Sequence, residues 1–313
     1  MAMLDRFNGL QVLLKVAELG NMSAAARALK MSPTMVTRHI AAQEERLGVR
    51  LLHRTTRRVT LTEAGRAYRD AAERIVSELE EAEAAAAANQ VTLRGLLRVS
   101  APVSFGTREI APFLAGFSRL FPELTVDLGL NDRVVDLVDE GWDMAIRIGR
   151  LADSTLVARK LARYGMLLCA SPAYLAEHGT PTRVVELSRH QCLGYTLSQL
   201  VGPDFWSFRE DGQIKVPISG HLRTSNCDVL VAAAVAGQGL IYQPTYIVSD
   251  AICAGTLVAL EVDYPPIAMG GVFAVYPPSS RVPARVRAFI DYMAEQYAGV
   301  PPWEKRMGVG LER

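Results

Sequence analysis

The side chains best suited to contact a polyanion are concentrated near the amino terminus. Residues 1–62 contain ten Lys and Arg against four Asp and Glu, although the 313-residue chain has a net charge of only +1. Arginine can donate paired hydrogen bonds to guanine, serine and threonine can reach bases or phosphates, and arginines on a thin hairpin suit phosphates or a narrow minor groove. The predicted DNA contacts are Ser32, Pro33, Thr34, Thr37 and Arg38 on a helix, and Arg54, Thr55, Arg57 and Arg58 in the turn after it.

A second set of side chains is suited to bind a small molecule. Arg147 stands in an otherwise apolar strand predicted over 143–148, where a charge is costly unless it is paired. It could bind a ligand carboxylate with two hydrogen bonds, or form an internal salt bridge with a nearby Asp. Two other strand ends, at 100–104 and 224–226, lead into helices whose free N–H groups favour anions. The Ser and Thr hydroxyls there could equally be plain helix caps.

The local pattern around the first set predicts three short helices and a hairpin. Apolar residues recur at helical spacing over 4–17, and Gly20 ends that helix. Ser23 is a candidate cap for a helix over 24–29, and Ser32 followed by Pro33 begins a third helix that runs to about Leu47. Two short β-prone runs, 49–52 and 59–61, flank a basic turn. This order predicts a helix-turn-helix followed by a wing, with Met35 among the inward-facing residues of the third helix.

A long helix is predicted after the wing. Thr62 caps it, and residues 63–89 contain no proline and many Ala, Glu and Arg. The apolar seam has nearly heptad spacing and consists of Ala64, Tyr68, Ala71, Ile75, Leu79, Ala82 and Ala86. A seam this narrow favours pairing between two chains over burial in a globular core. The alternative is a lone solvated spacer helix.

Strand and helix patterns alternate from residue 91 onward, including a helix predicted over 133–140. Such alternation indicates an α/β fold with parallel-rich sheets, here in two lobes with a cleft between them. The predicted domains are a DNA-binding head over 1–62, a linker helix over 63–90, lobe I over 91–162 and 268–300, and lobe II over 163–267. Residues 301–313 are expected to form a loose tail.

Composition narrows the alternatives. Half of the residues are apolar and 21% are charged, no apolar run is long enough to span a bilayer, and no secretory signal is recognisable. The four cysteines show no metal spacing, so we expect reduced thiols, no metal, no cofactor and a cytoplasmic location.

None of the five histidines lies in a GxSxG-like setting, and no Walker, HExxH or GxGxxG motif is present, so we do not expect an enzyme. The alternatives are an enzyme or cytosolic binding protein with an incidental basic head, a transport binding protein, and a redox sensor that uses Cys192 or Cys227.

The run SAAARALKMSPTMVTRHIAAQEERLGVRLLHRTTRRVTLTEAG over 23–65 resembles the winged helix-turn-helix of LysR-type transcriptional regulators. One departure is Pro33-Thr34, where many relatives carry Gln-Pro. The runs LRVSAPVSFGTREIAPFL (97–114), DRVVDLVDEGWDMAIRIG (132–149) and LCASPAYLAEHGTP (168–181) resemble the effector domain of the same family. The resemblance covers nearly the whole chain apart from 299–313. It implies the two-lobed fold of type 2 periplasmic binding proteins.

The resemblance also implies partners. Dimers formed through 63–89 are expected to bind an inverted repeat in double-stranded DNA and to assemble into a tetramer through the effector domains. The protein is expected to act at the nucleoid, with RNA polymerase as a candidate partner. The effector is expected to be a small organic anion, either a carboxylate or an aromatic anion, since Phe105, Tyr195 and Tyr242 could shape an aromatic site. The predicted effector contacts are Ser100, Pro102, Ser104, Phe105, Arg147, Tyr195, Thr196, Ser225, Asn226, Gln243 and Pro244.

Overall fold

A computed structural model describes residues 6–54, 59–86, 93–278 and 282–308. The chain divides into two compact units, the first running to Leu96 and the second consisting of the remainder, apart from 123–125, which group with the first. Among the described residues, no helix combines the length and the apolar character needed to cross a membrane.

The first unit contains the predicted helices and hairpin. Its elements are α1 (Arg6–Leu19), α2 (Met22–Ala28), α3 (Pro33–Leu47), β1 (Leu52–Arg54), β2 (Val59–Leu61) and α4 (Glu63–Ala86). Val12, Leu13, Val36 and Ile40 are among the side chains of its fully buried core. Helix α2 begins two residues earlier than predicted, because the side chain of Asn21, and not Ser23, accepts the Ala24 N–H at 2.9 Å.

Helix α4 has two different apolar faces. Ala72 and Val76 pack with Leu10 of α1, and Tyr68 joins this cluster. Ile75 is 52% exposed and Leu79 is 38% exposed. The predicted seam is therefore divided: Tyr68 helps to bury α1, whereas Ile75 and Leu79 remain on the surface of the single chain.

The second unit is built from a lobe with a five-stranded sheet and a lobe with a three-stranded sheet. The chain enters lobe I through β3 (Gly95–Ala101), α5 (Val103–Phe105), a π-helical turn (Gly106–Ile110), α6 (Ala111–Leu120), β4 (Leu124–Leu130), β5 (Met144–Gly149) and β6 (Val157–Ala162). Lobe II comprises β7 (Met166–Ala170), α7 (Pro172–His178), a 3-10 turn (Val184–Arg189), β8 (Gly194–Tyr195), β9 (Phe205–Phe208), β10 (Ile214–Pro217), β11 (Arg223–Thr224), α8 (Cys227–Val235), β12 (Ile241–Pro244), α9 (Thr245–Cys253) and β13 (Val258–Leu260). The chain then returns through β14 (Gly271–Tyr276) and α10 (Ala284–Gln296), and continues into α11 (Pro302–Met307).

The sheets are less parallel than predicted. The strand order in lobe I is β4-β3-β5-β14-β6, and β3 runs parallel to β5. Strand β14 is antiparallel to both β5 and β6, because β6 carries the chain out to lobe II and β14 brings it back beside β6. The lobe II sheet, β12-β7-β13, is antiparallel in both of its pairings.

Two predicted segments are wrong. Residues 133–140 form turns and not a helix: the Asn131 and Asp136 side chains accept nearby backbone N–H groups, which competes with helix formation. The tail is not loose over 302–307, since these residues form α11 and Trp303 is completely buried. Burial of a tryptophan supplies a large apolar contact, which explains why this polar-looking segment docks. Residues 309–313 lie outside the described part of the chain.

Candidate nucleic-acid interface and effector cleft

The start of α3 is capped by its own residues, and the side chains of its first turns are exposed to solvent. The Ser32 hydroxyl accepts the Met35 N–H at 3.2 Å, and Pro33 occupies the first helical position, where its missing N–H costs little. The Thr37 hydroxyl donates to the Pro33 carbonyl at 3.0 Å. Ser32, Pro33, Thr34, Thr37 and Arg38 are all exposed, so the structure brings these five predicted residues together on one surface.

Met35 also lies on this surface, which corrects the inward orientation predicted for it. Helix α3 buries Val36, His39, Ile40 and Gln43, whereas Met35 is 38% exposed. Since successive residues are separated by about 100° around a helix, position 35 falls outside the buried stripe defined by 36 and 40. An exposed thioether beside Thr34 and Arg38 offers an apolar contact, such as a thymine methyl requires.

A buried carboxylate fixes the wing to α3. The Oε1 atom of Glu44 accepts the backbone N–H groups of Leu51 and Leu52 at 2.9 and 3.2 Å. Its Oε2 atom lies 3.5 Å from the guanidinium of Arg50, whose side chain is mostly exposed. Arg54 ends β1, and Thr55, Arg57 and Arg58 lie outside the described residues. Glu44 therefore sets where the basic turn leaves the head.

In lobe I, the predicted cleft residues have different surroundings. Ser100 is buried near the end of β3, and its hydroxyl makes no hydrogen bond to any residue that the structure describes. Pro102 precedes α5 without a side-chain cap. The Ser104 hydroxyl donates to Asp228 Oδ2 of lobe II at 2.7 Å, so this predicted ligand contact already joins the two lobes.

Arg147 is not part of an internal salt bridge with any described residue. One of its terminal nitrogens, Nη2, donates to the Val135 carbonyl at 3.1 Å, and the side chain is only partly buried. A guanidinium carries five N–H donors, so most of them stay available. The arrangement leaves an oriented cation on β5 that can receive an anionic group.

The lobe II side brings Tyr195 beside Cys227. Burial raises the pKa of the Cys227 thiol to about 12, and the carboxylate of Asp132 adds to this rise. Burial, Cys227 and Asp132 likewise raise the pKa of the Tyr195 hydroxyl, which hydrogen-bonds the same thiol. Both groups are therefore protonated at neutral pH. Asp132 follows β4 in lobe I, so a lobe I carboxylate lies near a lobe II phenol and thiol.

The strand-to-helix connection before α8 is largely satisfied within itself. The Asn226 side chain caps α8 by accepting the Asp228 N–H at 2.9 Å and the Val229 N–H at 3.2 Å. Thr224 accepts the Asn226 N–H, and Thr196 donates its backbone N–H to the Thr224 carbonyl. Ser225 and Thr196 are exposed. For Asn226 the helix-cap interpretation applies, and only its amide NH₂ remains for a ligand.

Two of the three aromatic residues predicted to shape the site, Phe105 and Tyr242, belong to cores. Phe105 is fully buried, with the rings of Tyr246, Trp303 and Tyr297 at centroid distances of 5.2, 5.9 and 6.0 Å. Tyr242 stacks on Phe208 at 5.0 Å, and its hydroxyl accepts the Ile267 N–H. The prediction that Phe105 binds the effector is therefore wrong, because packed rings already surround it.

Gln243 and Pro244, at the end of β12, have different exposures. Gln243 is buried and its Oε1 atom has no hydrogen-bond partner among the described residues, whereas Pro244 is partly exposed and precedes α9. An unpaired buried amide oxygen is costly unless a donor reaches it.

Sequence reasoning did not place Asp132 or Asp228 in the cleft, and it considered Cys227 only as a redox residue. Asp132 lies just after the end of β4, and its Oδ1 atom accepts the Val103 N–H at 3.0 Å. The rule that ligands gather beyond strand ends, which selected Ser100, would also have selected Asp132. Within the described parts of the chain, no three His, Cys, Asp or Glu side chains are grouped so that they could hold a metal ion.

Comparison with known proteins identifies both units. Residues 7–66 match the model of the bacterial regulatory helix-turn-helix protein, lysR family, and residues 90–298 match the LysR substrate binding domain. The HTH-type transcriptional regulator DmlR of Escherichia coli is 34% identical over 297 residues, which are 94% of this chain and 95% of that protein.

Solved structures agree with this assignment. CrgA, a LysR-type transcriptional regulator from Neisseria meningitidis, has 34% identity and a TM-score of 0.61, with 93% of this chain and 98% of that one covered. The regulatory domain of AphB from Vibrio vulnificus, treated with cumene hydroperoxide, has 26% identity and a TM-score of 0.52, with 65% and 100% covered. The named full-length relatives are transcriptional regulators and not enzymes. The chain therefore belongs to the LysR family of transcriptional regulators, with a DNA-binding helix-turn-helix and an effector-binding domain.

Proposed function

We propose that this regulator binds an inverted repeat in duplex DNA as a dimer, and that a small organic anion between the lobes changes this binding. The observation that carries the proposal is the exposed polar face at the start of α3, in a head with ten basic and four acidic side chains over 1–62. The first turns of such a helix fit the major groove, with Arg38 toward bases and the wing toward phosphates. The protein would act at the nucleoid in the cytoplasm, with RNA polymerase as a candidate partner.

Replacing Arg38 with Ala should lower operator affinity by about 1–3 kcal/mol, because a paired contact to guanine is lost. A duplex library selected on the wild-type protein supplies the operator, and fluorescence anisotropy measures binding to operator and to random DNA. The matched control is Arg46→Ala, at the other end of α3, where the guanidinium donates to the Tyr68 hydroxyl. An unchanged ratio of operator to random affinity in the Arg38 variant would reduce Arg38 to a phosphate contact.

The exposed apolar stripe of α4 supports the dimer. Ile75 and Leu79 face solvent in the single chain, although apolar side chains at this spacing normally pack against a second helix. Pairing of two α4 helices would bury both and hold two heads apart. The two α3 helices of such a dimer, separated by about one turn of duplex or roughly 34 Å, then match the two halves of an inverted repeat. Effector domains would join such dimers into a tetramer.

Ile75→Lys should weaken dimerisation at least about a hundredfold, since two isoleucines, each stabilising by about 1.5–3 kcal/mol, leave the interface. Sedimentation equilibrium over a range of concentrations measures this change. Glu73→Lys introduces the same residue on the opposite side of α4 and should leave dimers intact. Equal dissociation of the two variants, or of neither, would argue against pairing through this stripe.

The groups between the lobes support an anionic effector with a polar, uncharged portion. Arg147 supplies an oriented guanidinium with free donors, and Ser100 supplies a buried hydroxyl at the end of β3. On the lobe II side, Tyr195 and the amide of Asn226 offer neutral hydrogen-bonding groups, together with the exposed Thr196 and Ser225. Asp132 would repel an anion placed beside Cys227, so the carboxylate belongs at the Arg147 end.

Arg147→Met should abolish stabilisation by a carboxylate effector while it preserves binding to the operator. The effector is sought as the member of a panel of small carboxylates that raises the thermal midpoint of the wild-type protein. Arg133→Met removes an exposed cation of lobe I and should respond like the wild type. If the Arg147 variant is stabilised as strongly as the Arg133 variant, Arg147 does not contact the ligand.

A redox sensor is the second candidate, favoured by the similarity to a regulatory domain treated with cumene hydroperoxide. The environment of three of the four thiols, including both candidate sensors Cys192 and Cys227, argues against it. Burial raises the pKa of Cys169, Cys192 and Cys227 to about 12 each, and the nucleophile in oxidation is the thiolate. At pH 7 only on the order of 10⁻⁵ of such a thiol is ionised.

Hydrogen peroxide should therefore leave Cys227 unmodified at pH 7 and operator affinity unchanged. Because the folded thiol titrates far above neutrality, reactivity should rise only as the pH is raised toward 12. Mass spectrometry after peroxide treatment and anisotropy with operator DNA measure the two effects. A peroxide-dependent loss of DNA binding that disappears in Cys227→Ser would establish the redox function instead.

A further inference from the structure

The carboxy-terminal helix α11 touches both lobes. It follows α10 of lobe I and packs along α9 of lobe II. The Trp303 ring lies 5.9 Å from Phe105 of lobe I and 5.9 Å from Tyr246 of lobe II, measured between centroids. Tyr246 also meets Tyr164, which lies in the first chain crossing between the lobes. Trp303 therefore packs between the two lobes, next to an aromatic ring that contacts the first segment crossing between them.

One guanidinium on α11 pairs with carboxylates of different lobes. Arg306 Nη2 donates to Glu109 Oε1 at 2.5 Å, and Glu109 belongs to the π-helical turn of lobe I. Arg306 Nε lies 3.2 Å from Asp250 Oδ1, and its Nη2 also donates to the Ser249 hydroxyl, both on α9 of lobe II. Glu109 is almost completely buried, so its charge depends on this partner.

A second arginine extends the same connection. Arg108 Nη2 lies 2.7 Å from Asp228 Oδ1 on α8, and its Nη1 lies 2.9 Å from Asp250 Oδ2. The Ser104 hydroxyl donates to Asp228. Asp250 is therefore shared by Arg108 of lobe I and Arg306 of the carboxy-terminal helix, while α8 is reached only by the lobe I groups.

Three segments in the described part of the chain cross between the lobes, whereas the predicted lobe bounds imply two. The first lies between β6 and β7, the second between β13 and β14, and the third runs from α10 to α11 through 297–301. Two adjacent crossings leave a hinge free to bend. A third crossing that ends in a buried tryptophan and an ion pair restricts that bending.

We propose that α11 is an interlobe clamp, in which Arg306, held between Glu109 and Asp250, keeps the two lobes closed before any effector binds. The side chains that hold Arg306 do not include the cleft residues Arg147 and Tyr195, which stay partly exposed. A ligand that prefers the closed arrangement then binds without first having to organise the lobes, because the competent state is already populated.

The test uses hydrogen–deuterium exchange of the full-length protein, with three variants. Arg306→Met removes the clamp charge, and Lys305→Met removes the neighbouring charge, which is exposed and makes no ion pair with described residues. The double variant Glu109→Gln with Arg306→Met removes the clamp without leaving a buried carboxylate unpaired. Exchange is read at α11, at α9, at α8 and, as an internal reference, at β5.

Amides of α9 and α8 should exchange about tenfold faster or more in Arg306→Met and in the double variant, while β5 is unchanged and Lys305→Met matches the wild type. Helix α8 does not contact Arg306 and is joined to lobe I through Asp228, so faster exchange in α8 as well as in α9 is the result expected if the lobes separate. The proposal is overturned if exchange rises only in α11, if Lys305→Met has the same effect, or if the double variant returns to wild-type rates.

Discussion

The antiparallel pairing of β14 with β5 and β6 is the constraint on which the effector domain depends. It places the outgoing and returning segments side by side, so lobe II is an insertion into a completed sheet and not an independent domain. Arg147 on β5 is held in register opposite Phe273 of β14, which fixes the guanidinium relative to the crossing segments.

In the DNA-binding head, side-chain hydrogen bonds to the backbone position the wing, instead of a large sheet. A buried carboxylate, Glu44, accepts two backbone N–H groups of the wing strand, and Thr62 both donates to the Arg50 carbonyl and accepts the Gly65 N–H. The two bonds to the Glu44 carboxylate are charge-assisted and therefore strong, and together with the bonds of Thr62 they help to hold the wing between α3 and α4. The exposed side chain of Arg38 on α3 is then available to contact a partner.

Local signals predicted most of the elements but not the long-range contacts. Ser32-Pro33 and Gly48 marked the ends of α3 because capping is encoded within a few residues. The helix predicted over 133–140 failed, since the Asn131 and Asp136 side chains bond backbone N–H groups that a helix would need.

The candidate site was predictable only in part. Ser100 and Arg147 were selected from strand ends and a charge in an apolar strand and stay predictions. Phe105 was misassigned because the rings that bury it, Trp303 among them, come from distant parts of the chain. The docking of α11 had no local signal for the same reason: a short polar helix acquires its buried tryptophan and its carboxylate partners only from the assembled lobes. The spacing of apolar residues shows which face of a helix is buried, but not which residues pack against that face.

Gly65 has a mechanical consequence. A β-carbon at this position would lie 2.0 Å from the Leu51 carbonyl oxygen, so the first turn of α4 sits directly on the wing strand with no side chain between them. The wing, α3 and α4 therefore form one rigid unit, in which the 24 residues of α4 span about 36 Å. If α4 tilts by about 5°, its far end moves by roughly 3 Å relative to the wing, which is comparable to the rise between successive base pairs.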